Sequence, residues 1–222
     1  MSLMDEQYLE KYGLIAGTDE AGRGPLCGPV FSAAVFIDNK KDLKILEKYA
    51  YDSKSISEKK RFEYYDFLIK NFDYVSGFAD SEEIDMLNIF KATEYSMKKN
   101  FEGRDLKNSI VLADGKNFKF NFNYECIIKG DSKLAVIGAA SIIAKCERDS
   151  YMKELSGKYP WFNLEKHKGY PTKEHLELIR DKKIISEYRL TYSPVKEVIK
   201  NGISWIDKNE FSKERLFRAG IL

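Results

Sequence analysis

The sequence contains little of the residue chemistry on which several common protein classes depend. Only three cysteines occur among 222 residues and none forms a C-x-x-C pair, which argues against a zinc knuckle or a dithiol redox motif. The only histidines, His167 and His175, do not have the i and i+4 spacing of a helical metal pair. No stretch approaches the roughly 18 to 20 uninterrupted apolar residues that cross a bilayer, and the polar start lacks the pattern of a signal peptide. We therefore expect a soluble, cytoplasmic protein with reduced cysteines.

An excess of either charge is also missing. Lys and Arg total 37 against 35 Asp and Glu, which gives a formal net charge of +2. This balance excludes a polybasic tail or an acidic solvating chain but allows a local basic patch. With 43% hydrophobic residues, 222 residues are enough for one sizeable core but short for two ordinary domains. We expect a single domain over residues 1–222.

The hydrophobic pattern changes its period along the chain and so predicts both strands and helices. Short apolar runs predict strands at residues 13–18, 30–37, 72–79, 108–113 and 124–128. Helical spacing predicts helices at residues 57–71, 81–100 and 134–144, and two or three more after residue 172, with breaks at 193–194 and 201–202. The helix at 134–144 is apolar almost all round, which is typical of a buried central helix, and its small residues at 138–141, GAAS, would let another backbone approach closely.

Acidic residues follow three of these predicted strands. Asp19 and Glu20 follow the first strand, Asp114 the fourth and Asp131 the fifth. Ligands of open α/β sheets bind at strand ends, where loops can vary without disturbing the core. Carboxylates gathered there would repel one another, whereas a divalent ion would stabilise all of them in the ionised form. Oxygen ligands without a nearby Cys or His cluster favour Mg²⁺ or Mn²⁺ over zinc.

Each acid also has an ordinary structural interpretation. Asp114 begins an Asp-Gly turn, and Asp131 precedes a predicted helix, where an N-cap Asp is common. Asp19 and Glu20 would point to opposite faces of a regular strand, so they converge only if the chain bends there. The glycines at 22 and 24 favour such a bend.

The glycine-rich segment 19–30, DEAGRGPLCGPV, matches neither a P-loop nor a dinucleotide-binding fingerprint. A Ser-His-Asp hydrolase would need a nucleophile elbow, and none occurs. The segment is instead similar to the first-strand motif of prokaryotic ribonuclease HII. Further motifs of that family follow in the same order, namely DSK at 52–54, SEKKR at 57–61, ADGK at 113–116, KGD at 129–131, IGAASIIAK at 137–145 and HKGY at 167–170. The chain thus resembles this family over nearly its whole length.

The resemblance implies a ribonuclease H-like fold, a mixed five-stranded sheet flanked by helices with a helical C-terminal extension at about residues 195–222. It implies an endoribonuclease that hydrolyses the RNA strand of RNA/DNA hybrids and cuts 5' of ribonucleotides embedded in duplex DNA, and we expect a monomer. Asp19, Glu20, Asp114 and Asp131 would hold divalent ions that activate a water, leaving 5'-phosphate and 3'-hydroxyl ends.

Recognition of RNA within a duplex needs a contact to the 2'-hydroxyl, the group that DNA lacks. Gly22 and Gly24 have no Cβ, so the backbone around Arg23 can approach a sugar closely. The resemblance implies that this Gly-Arg-Gly loop reads the ribonucleotide and that Tyr170 lies against the next sugar. The ordinary interpretation of Tyr170 is a half-buried aromatic with a solvated hydroxyl.

Basic residues beside these motifs are candidates for phosphate contacts, which supply affinity but little sequence information. The candidates are Arg23, Lys54, Lys116, Lys129 and Lys168. A solvated charged surface is the ordinary alternative for each of them.

The sequence departs from the family pattern at two positions. Leu134 stands where family members usually carry a serine, and Tyr188 stands where they often carry a histidine. The competing hypothesis for the whole chain is a non-catalytic module that binds hybrids. Four acidic positions argue against it, because a module that only binds gains nothing from carboxylates that face phosphates.

Overall fold

The computed structural model describes residues 2–49 and 56–222. The chain forms two compact units. The first comprises Met1–Ala21, Phe31–Phe78 and Thr93–Glu147, and the second comprises Gly22–Val30, Ala79–Ala92 and Arg148–Leu222. Within the described residues, no helix is both long enough and apolar enough to span a membrane. The single catalytic domain expected from the length stays a prediction.

A five-stranded mixed sheet forms the centre of the first unit. Its strands are β1 (Leu14–Ala21), β2 (Val30–Ile37), β3 (Asp73–Ala79), β4 (Ser109–Asp114) and β5 (Tyr124–Ile127). Their order in the sheet is β3-β2-β1-β4-β5. β1 pairs antiparallel with β2 and parallel with β4, which in turn pairs parallel with β5. The predicted mixed five-stranded sheet is confirmed.

Helices occupy much of the remaining described chain. They are α1 (Ser2–Tyr12), α2 (Lys40–Leu46), α3 (Glu58–Asn71), α4 (Ser81–Leu87), α5 (Ile89–Lys99), α6 (Ala135–Lys158), α7 (Leu164–His167), α8 (Lys173–Asp181), α9 (Ser193–Lys200) and α10 (Lys213–Ala219). Single 3₁₀ turns occur at Gly130–Ser132, Pro160–Phe162 and Lys208–Glu210. Of the helices after residue 172, α9 lies between the two predicted breaks, whereas α8 ends well before the first break and α10 begins well after the second. The helical C-terminal part of the chain is confirmed.

Both faces of the sheet are covered. Ile15 packs in one hydrophobic cluster and its neighbour Ala16 in another, as expected when successive strand residues point to opposite faces. The beginning of α6 lies directly against β1. A Cβ on Gly17 would lie 2.3 Å from the carbonyl carbon of Val136, so only glycine permits this approach. The sequence prediction of a buried helix with small residues is confirmed.

The second unit has its own apolar core and a buried ion pair. Its core includes Leu26, Phe162 and Tyr188. Arg215 on α10 donates from Nε to Asp85 on α4 at 2.6 Å, and both side chains are almost completely buried. Oxygens of the same Asp85 accept the backbone amides of residues 190 and 191, each at 2.9 Å. The C-terminal helix is thereby joined to α4 through paired and hydrogen-bonded charges.

β1 is longer than the sequence predicted. Its pairing with β4 ends at Thr18, but its pairing with β2 continues as far as Ala21. Asp19 and Glu20 therefore lie within a regular strand, and the expectation that they follow its end is wrong. The turn comes at Gly22, where φ is +102°.

Several helix boundaries also differ from the prediction. The single helix expected at residues 81–100 is two helices, because Asn88 has a φ of 66° and breaks the chain direction. The Asn88 side-chain oxygen then accepts the amides of Phe90 and Lys91, each at 3.1 Å, and so caps the second helix. α6 continues well beyond residue 144 to Lys158, and the helices at residues 2–12 and 40–46 were not predicted.

Candidate active site

Two of the predicted metal ligands lie at the ends of the two central strands. Asp114 is the last residue of β4, and Asp19 lies near the end of β1. Pairing between these parallel strands ends at Thr18 with Ala113, so each acid follows the last pair by one residue. Parallel neighbours present their carboxyl ends at the same edge of a sheet, where α/β proteins bind ligands. The chain therefore brings the two acids, with Glu20 beside them, to one edge.

The charges of these three acids act on one another. Asp19 is 5% exposed, and its burial raises the pKa of its carboxyl group well above the ordinary value. The negative charges of Glu20 and Asp114 raise this pKa further. Hydrogen bonds from the Ser141 hydroxyl and from the Glu20 amide, the latter 2.7 Å from Asp19 Oδ1, act in the opposite direction. The site thus concentrates negative charge that a proton or a cation would compensate.

Asp131 lies in the turn that supports Asp114. It occupies the 3₁₀ turn Gly130–Ser132 just after β5 and is buried. The Gly130 amide donates a hydrogen bond to Asp114 Oδ1 at 2.6 Å. A Cβ at residue 130 would lie 2.5 Å from Cδ1 of Ile137, so the turn packs too tightly for a larger residue. Asp131 is therefore held next to Gly130, the residue whose amide orients Asp114.

The ordinary interpretation of Asp131 as a helix N-cap is wrong. The helix that follows begins at Ala135, and the carboxylate of Asp5 caps it instead. The two oxygens of Asp5 accept the amides of Ala135 at 2.8 Å and Val136 at 3.2 Å. Burial raises the pKa of Asp5 to about 6, while these two hydrogen bonds act to lower it.

The donor chemistry of the acid group suits a hard divalent cation. Carboxylate oxygens are the ligands that Mg²⁺ and Mn²⁺ prefer. Burial raises the pKa of Asp19, the charges of Glu20 and Asp114 raise it further, and a bound cation would act in the opposite direction. In the part of the chain that the structure describes, however, no three His, Cys, Asp or Glu side chains are already arranged to hold a metal ion.

The glycine-rich loop is part of the second unit and is held by buried arginines. Arg189 donates hydrogen bonds to the carbonyls of Gly22 and Arg23, at 2.7 and 3.0 Å. Arg148 lies against the loop so closely that a Cβ on Gly22 would be 2.1 Å from its Nε. Gly22 therefore satisfies two constraints, a positive φ and this close approach. The Arg23 side chain and Gly24 are exposed.

Tyr170 lies beside this loop, and its predicted contact with a sugar stays a prediction. A Cβ on Gly24 would be 3.4 Å from the Tyr170 ring, and the Leu26 amide donates to the Gly169 carbonyl at 2.8 Å. Tyr170 is 42% exposed, so part of the residue is available to a ligand while its ring also packs on the loop. His175 Nδ1 bonds to the Tyr170 carbonyl at 2.9 Å, which supports the same turn from below the surface.

The structure describes three of the four lysines that are predicted to bind phosphates. Lys116 and Lys129 are exposed, and Lys168 is partly buried. The Lys168 carbonyl accepts from Nη2 of Arg148 at 3.0 Å, so its backbone belongs to the turn that carries Tyr170. Lys54 lies outside the described residues. Contact with phosphates stays a prediction for each of these lysines.

Sequence reasoning missed the roles of Ser141 and Asp5 in the first unit, and of Arg148 and Arg189 in the second. Ser141 was interpreted only as a small residue that permits close packing, although its hydroxyl bonds to Asp19. Asp5, Arg148 and Arg189 act on segments far away in the chain, and no local pattern connects them to those segments. Arg148 gives no local signal either, because it lies in the charged stretch KCERD at 145–149, which resembles a solvated surface.

Comparison with known proteins identifies the family. A family model described as Ribonuclease HII matches residues 16–193. A relative from Thermotoga maritima named ribonuclease HII is 41% identical over 217 residues, covering 97% of this chain and 89% of the relative. The crystal structure of ribonuclease H2 from Pyrococcus horikoshii OT3 has a TM-score of 0.73 at 23% identity and covers 85% of this chain and 98% of that one. Bst-RNase HIII in complex with Mn²⁺ has a TM-score of 0.65 at 14% identity, covering 90% and 72%. The chain therefore belongs to the ribonuclease HII family of metal-dependent endoribonucleases.

Proposed function

We propose that this chain hydrolyses the RNA strand of RNA/DNA hybrids and cuts 5' of ribonucleotides embedded in duplex DNA, leaving 5'-phosphate and 3'-hydroxyl ends. The observation that carries this proposal is the position of Asp19 and Asp114, each one residue beyond the last β1–β4 pair and so at the same edge of the sheet. Family membership indicates the class of reaction, and these acids indicate which part of the chain would carry it out.

Asp19, Glu20, Asp114 and Asp131 would hold the divalent ions, which we propose to be Mg²⁺ or Mn²⁺. Bst-RNase HIII, a structural neighbour, is described in complex with Mn²⁺, which supports an ion of this type. When bound, two such ions activate the attacking water and stabilise the leaving oxygen of the phosphodiester.

The chain itself contributes by orienting the acids. The Ser141 hydroxyl and the Glu20 amide hydrogen-bond to Asp19, and the Gly130 amide holds one oxygen of Asp114. Such hydrogen bonds keep a ligand oxygen in place and favour its ionised form.

The loop of Gly22, Arg23 and Gly24 would recognise the ribose, with Tyr170 against the neighbouring sugar. The close contact of Gly24 with the Tyr170 ring supports this proposal because it joins the two predicted contact groups into one surface. Arg23, Lys54, Lys116, Lys129 and Lys168 would contact phosphates and add affinity without sequence preference.

We further propose that the chain works as a monomer with a single catalytic domain, in the cytoplasm, and takes part in ribonucleotide excision repair. Its cysteines Cys27, Cys126 and Cys146 are all free, which agrees with a reducing compartment.

A 5'-labelled DNA duplex with one embedded ribonucleotide tests the proposed reaction. We expect a single cut on the 5' side of that ribonucleotide with Mg²⁺ or Mn²⁺ and none with EDTA. Asp19→Asn keeps the size of the side chain but removes a charged ligand, so turnover should fall roughly a hundredfold or more.

Asp38→Asn is the matched control, because Asp38 is an exposed acid that follows β2, and its turnover should equal that of the wild type. Tight binding of the duplex with no cutting under any divalent metal would instead support the non-catalytic binding module.

A further inference from the structure

The carbonyl groups of the glycine-rich loop are held by one buried guanidinium. Arg189 is 0% exposed, and its acceptors are three backbone carbonyls and one hydroxyl. Nε and Nη2 donate to the Gly28 carbonyl at 2.9 and 2.7 Å, and Nη2 also donates to Gly22 at 2.7 Å. Nη1 donates to the Arg23 carbonyl at 3.0 Å and to the Tyr192 hydroxyl at 3.1 Å. The five N–H groups of the guanidinium thus match five hydrogen bonds.

The direction of these carbonyls determines the direction of the next amides. In a trans peptide unit the C=O and N–H groups point in opposite directions. Because the Gly22 carbonyl points toward Arg189, the Arg23 amide points away from it. The Arg23 carbonyl also points toward Arg189 and accepts a second hydrogen bond from the Tyr192 hydroxyl at 2.8 Å, so the Gly24 amide points away as well.

We propose that Arg189 is a specificity-determining positioning residue, which orients the amides of Arg23 and Gly24 as the donors that recognise a ribose 2'-hydroxyl. This inference rests on the proposed function, in which this loop reads the ribonucleotide. Two neighbouring amides with the same orientation can donate to one hydroxyl oxygen, whereas a deoxyribose offers no such acceptor. Without the guanidinium, the two peptide units can rotate, because glycines flank Arg23 on both sides.

A second buried arginine restrains the other side of the loop. Arg148 donates from Nη2 to the Lys168 carbonyl at 3.0 Å and to the Cys27 carbonyl at 3.4 Å, and its guanidinium carbon lies 5.9 Å from the centre of the Tyr170 ring. Burial lowers the pKa of Arg148 to about 10, which still leaves it charged at neutral pH. The loop is therefore held between two cations whose acceptors are backbone carbonyls.

Arginine is suited to this task in a way that lysine is not. Its planar guanidinium donates in several fixed directions at once, whereas an ammonium group on a flexible chain concentrates its donors at one atom. Arg189→Lys therefore keeps the charge and most of the volume but cannot hold Gly22, Arg23 and Gly28 together. This makes the substitution a test of geometry rather than of charge.

The experiment measures binding of two duplexes that differ only in one 2'-hydroxyl. One duplex is all DNA and the other contains a single ribonucleotide. Every protein compared, including the otherwise wild-type reference, carries Asp19→Asn so that the duplex stays uncut. The readout is the ratio of the two dissociation constants. Arg189→Lys should reduce the wild-type ratio by about tenfold, because hydrogen bonds to the ribose are lost, and should leave the affinity for all-DNA duplex unchanged.

Two further variants keep the test decisive. Tyr192→Phe removes only the hydroxyl that bonds to the Arg23 carbonyl, and it should reduce the ratio in the same direction but less; it carries the test if Arg189→Lys does not fold. Arg215→Lys is the matched control, because this buried guanidinium bonds to Asp85, and it should lower the unfolding temperature while keeping the ratio.

The outcomes separate this inference from the proposed function. A wild-type ratio well above one that both Arg189→Lys and Tyr192→Phe retain would overturn the role of Arg189 alone. A wild-type ratio near one would overturn ribose recognition by the loop, and this inference with it. A reduced ratio in all three variants, the control included, would show a general structural effect and would also overturn the specific role.

Discussion

At the scale of single residues, the hydroxyl of Ser141 is a small group with a large expected effect. It donates a hydrogen bond to Asp19, whose pKa is already raised by burial and by two neighbouring acids. A hydrogen bond to a charged group contributes about 1.5 to 3 kcal/mol, so Ser141→Ala should lower kcat by roughly tenfold or more. We expect the KM for an RNA/DNA hybrid to stay close to that of the wild type, because Ser141 acts through Asp19.

Ser132→Ala is the matched control for this prediction. The Ser132 hydroxyl bonds to the Lys129 carbonyl at 2.9 Å on the exposed side of the neighbouring turn. Steady-state kinetics on a labelled hybrid, together with thermal unfolding of both variants, provide the measurement. An unchanged kcat in Ser141→Ala would show that this hydroxyl does not support Asp19.

The acids of the candidate site could be predicted from the sequence, but the groups that hold them could not. Asp19 and Asp114 stand beside apolar runs that are easy to recognise, and strand ends are where ligands bind. The hydrogen bond from Ser141 depends on how α6 packs against β1, which the sequence does not specify. Arg189 is equally hidden, because 167 positions separate it from the Gly22 carbonyl that it binds.

At the scale of secondary-structure elements, the start of α6 depends on a residue of α1. Asp5 caps this helix although 130 positions in the chain separate it from Ala135. Leu134, which directly precedes the helix and stands where the family usually has a serine, is fully buried. Asp5→Ala should lower the free energy of unfolding by about 1 to 2 kcal/mol, the usual effect of losing an N-cap. Urea unfolding at neutral pH measures this change.

Asp5→Asn is the informative partner of that variant. An asparagine keeps one oxygen that can accept an amide and removes a charge whose burial is unfavourable, since burial raises the pKa of Asp5 to about 6. The stability of Asp5→Asn should therefore lie between that of the wild type and that of Asp5→Ala. Equal stability of Asp5→Ala and the wild type would show that α6 does not need this cap.

Strands were easier to predict than helices in this chain. Each of the five expected strands exists, because short apolar runs bounded by turn residues have few other interpretations. The break at Asn88 was missed because its positive φ leaves no periodic signal, and the second half of α6 was missed because its charged residues resemble a solvated surface. Propensity alone does not decide such boundaries, since tertiary packing overrides it.

At the scale of the whole molecule, the strand order β3-β2-β1-β4-β5 could not be derived from periodicity, and the family resemblance implied a mixed five-stranded sheet without specifying the order. The division into two compact units was not expected from the length, because their segments alternate along the sequence. A chain that crosses between units several times carries no linker that composition can reveal.

The stability of the chain should depend on pH through two stacked histidines. The His167 and His175 rings lie 4.1 Å apart. His175 Nδ1 donates to the Tyr170 carbonyl, because a carbonyl can only accept. In the neutral ring Nε2 is then the acceptor, and it accepts from the hydroxyl of Tyr188 at 2.8 Å. Position 188 is the one where the family often has a histidine. Burial and, to a smaller extent, the charge of nearby His167 lower the pKa of His175 from 6.5 to about 4. The folded state therefore keeps both rings neutral at pH 7.

The pKa of His175 is lower in the folded state than in the unfolded state, so the unfolded state binds the proton more tightly. The contribution of His175 to stability is therefore fully present above pH 6.5 and is lost as the pH falls from 6.5 toward about 4. Between pH 7 and pH 5 the His175 contribution should fall by about 2 kcal/mol. Asp5 acts in the opposite sense, since its raised pKa favours the folded state as the pH falls.

The test is therefore the difference between wild type and His175→Asn, which keeps a donor for the Tyr170 carbonyl but does not titrate. In urea unfolding at the two pH values, the wild type should lose about 2 kcal/mol more than the variant; an equal change in both would mean that a charged His175 is tolerated in the fold.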